Sequence, residues 1–316
     1  MIQYIIRRLV VALPAIILVA LFANGVVHLV PGDAVLLMIQ DTGYANEEQL
    51  AHIRHELGLD QPFLSQFVSW LGGVVRGDFG KSIWTGRPVL GEILRTLPLT
   101  LELAFLAMGA ATLLAIPIGV ISAIRQNTIW DYALRLVAIF GLSVPGFVMA
   151  IGLILILSLT VGWVPPMEYA NPLENPVANL KQMVLPAFSI GFIYAAVIMR
   201  MTRSSMLEVM RQDYIRTAWS KGLPEFRVVL RHALKNAFIP IIAIMGIRMR
   251  ALLGSTVIIE TVFALPGIGR LTLDALLNRD FTQLQGNLLV IALLIVVINL
   301  LVDLSYAWFN PRIRYS

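Results

Sequence analysis

Long apolar runs alternate with short polar connections along most of the chain. Six runs reach the roughly 20 residues that carry an α-helix across a bilayer. They are residues 9–30, 99–124, 133–161, 180–201, 239–263 and 288–309. The pattern predicts an all-α, polytopic membrane protein with six transmembrane helices, residues 1–316 forming a single transmembrane domain. The first run is longer than a signal-peptide core and lacks a convincing small-residue cleavage site, so it is expected to be a retained span. Asn24 and His28 lie near its far end. Pro145-Gly146 interrupts the third run, whose length allows tilt or a kink.

Between the first two spans, residues 31–99 are mixed and polar. Glu47–Leu57 reads as a short amphipathic helix stopped by Gly58 to Pro62, and Phe63–Val75 as a second helix. Gly80-Lys81-Ser82 ends like a phosphate-binding loop, but Val75 stands where that loop needs glycine and no buried strand precedes it. An ATP site is therefore not expected in this chain.

The other polar island runs from Asp213 to Pro240. Asp213 is expected to cap a helix, Gly222 to end it and Pro224 to forbid its continuation. That leaves Tyr214–Lys221, about two turns. Tyr214, Ile215, Ala218 and Trp219 fall on one side, and Arg216, Thr217, Ser220 and Lys221 largely on the other. A helix this short is not stable alone and must dock, either on the bilayer surface or on a partner protein.

Composition agrees with the hydropathy. The chain is 58% hydrophobic and only 14% charged, against about 25% charged in soluble domains. The net charge of +5 does not call for nucleic acid, because Lys and Arg gather on the cytoplasmic side of membrane proteins. With six spans, fourteen Lys and Arg fall on the side of the termini and eight on the other. Both termini and the loop 202–238 are thus expected to be cytoplasmic, and the segment 31–99 extracytoplasmic. Arg227, Arg231 and Lys235 recur at four-residue spacing before the fifth span, facing anionic headgroups or a partner. There is no cysteine, which excludes disulfides, thiolate metal sites and cysteine nucleophiles.

The run Arg216-Thr217-Ala218-x-x-x-Gly222 resembles the cytoplasmic "EAA" loop of ABC-importer permeases, with Arg216 and Thr217 standing where the general motif has Glu and Ala. The fuller run from Asp213 to Leu223 is similar to the form in the dipeptide/oligopeptide/nickel branch. That branch is also resembled by His28-x-x-Pro31-Gly32-Asp33, Leu57-Gly-Leu-Asp-x-Pro62, Gly77-Asp-x-Gly-x-Ser82, Pro266-Gly-x-Gly-Arg270 and Asn310-Pro-Arg-x-Arg314. Phe281-Thr282 departs from the branch's Tyr-Pro at that place. The resemblance implies a type I importer permease fold in the bacterial inner (plasma) membrane. It implies a second homologous permease, two ATPase subunits that hold ATP and Mg, and a periplasmic solute-binding protein. It also implies that Asp213, Tyr214, Ile215, Arg216, Thr217, Ala218, Trp219, Lys221 and Gly222 contact the ATPase. No cofactor is implied in this chain, and the solute is peptide-like or one of the others carried by relatives.

A secondary transporter or channel is the competing reading. It would need carboxylates at membrane depth or inverted repeats. Glu102, Glu260 and Asp303 all read as near span ends, and no convincing repeat is visible. An intramembrane enzyme lacks a metal-ligand cluster or nucleophile pair. Arg248 and Arg250 stand near the middle of the fifth run, where each costs about 2.5–3.5 kcal/mol on insertion scales. Two residues apart means about 200° of rotation, so their stems start on nearly opposite faces. Either the pair is held by internal ion pairing or by contact with the partner chain, or one arginine lines the translocation path and the other sits at a helix–helix contact.

Overall fold

The computed structural model describes residues 2–29, 60–166 and 168–309. The expected helix at Glu47–Leu57, the motif residues 31–33 and the closing motif at 310–314 lie outside the described residues. The helices are α1 (Ile2–Leu29), α2 (Phe63–Val75), α3 (Val89–Ile124), α4 (Ile129–Ser143), α5 (Gly146–Val161), α6 (Pro176–Met210), α7 (Asp213–Ser220), α8 (Glu225–Val262), α9 (Ile268–Leu277) and α10 (Phe281–Phe309). Within α8, Val228–Leu234 is a π-helical stretch. Among the described residues, five helices are long and apolar enough to cross a membrane: α1, α3, α6, α8 and α10.

The third run corrects the expectation. It is not one tilted or kinked helix but two, α4 and α5, bent by 102°. Val144, held extended before a proline (φ −95°, ψ 119°), ends α4. Pro145 is extended too (φ −59°, ψ 144°) and caps α5. Two successive non-helical residues turn the chain instead of bending it.

The long helices also outrun the apolar runs. α3 begins at Val89 rather than Leu99, α6 continues to Met210 rather than Met201, and α8 begins at Glu225 rather than Ile239. Hydropathy marks where a chain leaves hydrocarbon, whereas backbone bonding and capping decide where a helix ends. Asn175 starts α6, its side chain accepting from the Ala178 N–H at 3.1 Å.

The chain packs as two compact units, Met1–Pro98 with Pro266–Val297, and Leu99–Leu265 with Ile298–Ser316. In the first, Ala20, Phe79, Val89, Ile93, Ile268 and Leu289 form the core. Asp280 fastens the turn at 82–84 by accepting from the Ser82 hydroxyl and from the N–H groups of Ile83 and Trp84.

In the second unit α6 is the central staff. Of its most apolar window 72% is buried, against 39% for α3 and 33% for α8. The α3–α6 approach depends on glycine. A Cβ on Gly191 would lie 2.8 Å from the Ala107 carbonyl oxygen, and one on Gly119 2.8 Å from that of Met199. Lipid offers helices no hydrophobic gain for associating, so close backbone approach at small residues supplies the attraction. The outward faces carry exposed Leu113, Ile121, Leu136, Ile139, Leu155 and Leu159, as a bilayer requires.

Candidate functional site

The docking platform is built at one end of the second unit. Val120 and Ala123 of α3, Met206 of α6 and Val228, Val229, Ala233 and Ala237 of α8 form an apolar cluster. The buried steps of four and five residues along α8 suit the wider turn of its π-helical stretch. Ile215 and Ala218 of α7 complete the cluster, at 0% and 6% exposure. The short helix thus gains from tertiary burial what its length denies it.

The helix ends differ in how they are made. Asp213 is the first helical residue, not the cap. Gln212 takes the extended cap conformation and its side chain makes no capping bond. The Asp213 carboxylate points to solvent and pairs with Arg216 at 3.5 Å, while its charge still suits the positive end of the helix. Lys221 lies one residue past the last helical position and serves as the C-cap. Gly222 follows at φ +74°. Its N–H donates to the Trp219 carbonyl at 2.9 Å, and the Leu223 N–H to that of Ala218 at 3.4 Å. This is the paired closure of a Schellman motif, with Leu223 packed on the cluster beneath. A side chain at residue 222 would meet open space, so the backbone angle alone selects glycine there.

The expectation for the short helix is docking on the bilayer or a partner, but Ile215 and Ala218 are instead buried against the chain's own helices and turned away from any partner. Tyr214 and Trp219 remain 44% and 41% exposed. Tyr214 is anchored at its tip, where its hydroxyl accepts from Asn236 Nδ2 at 2.9 Å. Arg216, Thr217, Ser220 and Lys221 are exposed, as are Arg227, Arg231 and Lys235. The result is a helix with a narrow apolar keel inward and a broad polar and aromatic ridge outward.

The two arginines of α8 differ in exposure. Arg250 is exposed. Arg248 is half-buried, and its Nε is enclosed with no hydrogen-bond partner among the described residues. A cavity of about 520 Å³ opens between α3, α8 and the end of α10, lined by Met108, Thr112, Met245, Gly246, Met249 and Ser305 among others. Neither arginine lines it.

Glu260 stands two residues before the end of α8, near a span end as expected, but it is not solvated there. It is 0% exposed and accepts from the Thr100 hydroxyl at 2.7 Å. Glu102 accepts from the Tyr169 hydroxyl. Burial, with that carboxylate alongside, pushes the Tyr169 phenol above the usual tyrosine range. Sequence reasoning missed a further group, Asp131 with Arg203. Only a Thr128-x-x-Asp131 capping pattern hinted that Asp131 mattered.

Residues 115–315 match the family described as binding-protein-dependent transport system inner membrane component, and residues 1–104 match the N-terminal family of such membrane components. The chain belongs to this family. The permease is 39% identical over 341 residues to the dipeptide transport system permease protein DppB of Escherichia coli K12, covering 100% of both chains. A Sinorhizobium fredii protein inferred to be a peptide ABC transporter permease is 41% identical over 312 residues, 99% of each chain. Among solved structures, the MetNI methionine ABC transporter in inward-facing conformations shares the fold, at a TM-score of 0.56 and 16% identity, covering 69% of this permease and 96% of that chain. An ABC-importer permease of the inner membrane is therefore the function, and a transporter or channel working without an ATPase is set aside.

Proposed function

We propose that the permease carries a peptide-like solute, that α7 is the element its ATPase moves, and that one arginine of α8 lines the path. The observation that carries the reading is the build of α7, a keel of two buried residues beneath an exposed ridge closed by Gly222. The solute class follows from the relatives, which are named for dipeptide and peptide transport. The working assembly contains a second homologous permease, two ATPase subunits and a periplasmic solute-binding protein. ATP and Mg belong to the ATPase subunits. Their closure displaces the two docked helices and tilts the spans between inward- and outward-open states.

The excess of Lys and Arg on one side supports cytoplasmic termini, a cytoplasmic loop 202–238 and an extracytoplasmic segment 31–99. Their two-residue spacing starts Arg248 and Arg250 about 200° apart around α8. One lines the path and favours solutes with a free carboxylate, as peptides have, and the other sits at a contact between helices.

A cysteine-free chain makes the test direct. Ser220→Cys places one thiol on the exposed ridge, and it is expected to cross-link to the ATPase subunit in the assembled transporter. Cross-linking to no ATPase subunit, in complexes that still transport, would sink the assignment of α7.

A further inference from the structure

A fully buried carboxylate lies directly behind the α7 platform. Asp131, in the first turn of α4, is 0% exposed. Arg203 of α6 meets it with two bonds, Nε to Oδ1 at 2.8 Å and Nη2 to Oδ2 at 2.7 Å. The Ser122 hydroxyl of α3 donates to Oδ1 at 2.6 Å. The Asn127 N–H, presented by left-handed backbone at φ 62°, donates to Oδ2 at 3.1 Å. Four donors, from two helices and the intervening link, converge on this carboxylate of a third helix.

The same stretches make the platform. Ser122 stands between Val120 and Ala123, and Arg203 is less than one turn from Met206. The platform contacts themselves are apolar and non-directional, so they permit sliding. A two-point fork fixes both distance and orientation. Stability alone does not call for it, since well-packed apolar residues often replace a buried ion pair without loss.

We propose that Asp131 and Arg203 are positioning residues of the coupling machinery. Their fork makes α4 move with the α7 platform, so that displacement of α7 reaches the broken span instead of being lost in the packing. The proposal rests on α7 being the ATPase contact.

The test uses the assembled transporter with spin labels at Gln212→Cys, before α7, and Leu136→Cys, on the exposed side of α4. The distance between them is expected to stay constant between the nucleotide-free and ATP-trapped states. Asp131→Asn is expected to make it change. Uptake should fall roughly 5–150-fold, the usual range of coupling between sites, while the complex still assembles and hydrolyses ATP without solute. A distance that changes between states with Asp131 intact overturns the proposal. So does an Asp131→Asn permease that transports like its parent. Where Asp131→Asn fails to insert, Asp131→Leu with Arg203→Met removes the buried charges together, and normal uptake by that double variant overturns it as well. Should neither variant insert, the distance in the intact chain decides. A constant distance without the Ser220→Cys cross-link overturns the reading of α7, and the coupling role of the fork with it, whereas a changing distance with the cross-link overturns the fork alone.

Discussion

At residue 222 a single backbone angle sets the end of the docking helix. With φ at +74° and open space around the missing side chain, substitutions should rank by their tolerance of left-handed backbone and not by size. Asn, which tolerates that region, is expected to keep most transport. Val, which is β-branched, is expected to abolish it while the protein still inserts. The strain is of order 1–2 kcal/mol, enough to fray a two-turn helix. Uptake set against membrane content by immunoblot separates the two effects, and equal uptake by Asn and Val variants would refute the ranking. Arg248 and Arg250 make a second pair of tests. Each is replaced singly by Gln, with uptake measured beside insertion and assembly. One variant is expected to lose uptake of solutes with a free carboxylate while still assembling. If both assemble and transport normally, neither lines the path.

At the scale of elements, period and punctuation made much of the molecule legible. Phe63–Val75 forms at its expected bounds, and the α7 stretch is displaced by one residue. The displacement arises because a side chain suited to capping does not decide which residue turns the backbone, and Gln212 does so here. Only the two central apolar residues of α7 reach the platform, because a narrow strip is all that so short a helix presents. The Asp131–Arg203 fork was illegible, since its partners are 72 residues apart and nothing local marks either as buried. Glu260 lies near a span end as read, but its burial was illegible, because hydropathy says nothing about which face of a helix is inward. Helix contacts give a further prediction. Gly191→Ala drives a methyl group into the Ala107 carbonyl and is expected to destabilise the solubilised permease by about 1–3 kcal/mol. Gly152→Ala on α5 meets nothing within 4 Å and should be neutral or slightly stabilising. Thermal unfolding in detergent checks the pair, and equal melting temperatures would refute the packing argument.

At the scale of the whole molecule, the proposal gives the chain one docking helix among its described residues, whereas a pair of ATPase subunits would call for two. A second homologous permease is expected to supply the other. Complexes purified with this permease as their sole membrane subunit should lack solute-stimulated ATP hydrolysis. Full stimulation in such complexes would show that two copies of this chain suffice.

The break between α4 and α5 also bears on the bilayer. Helices of 15 and 16 residues extend about 22 and 24 Å at 1.5 Å per residue. Neither alone matches the roughly 30 Å of hydrocarbon in a typical membrane. A straight span meets a thicker membrane by standing more upright or by thinning the bilayer around it, whereas a chain broken at Val144-Pro145 could also change the angle of its break. If this joint opens in that way, the transport rate is expected to hold across vesicles of increasing acyl-chain length, and a rate that falls steeply with chain length would refute it. Pro145→Ala restores a donor to the joint and lets helix run through it. That variant is expected to work over a narrower span of lipid lengths.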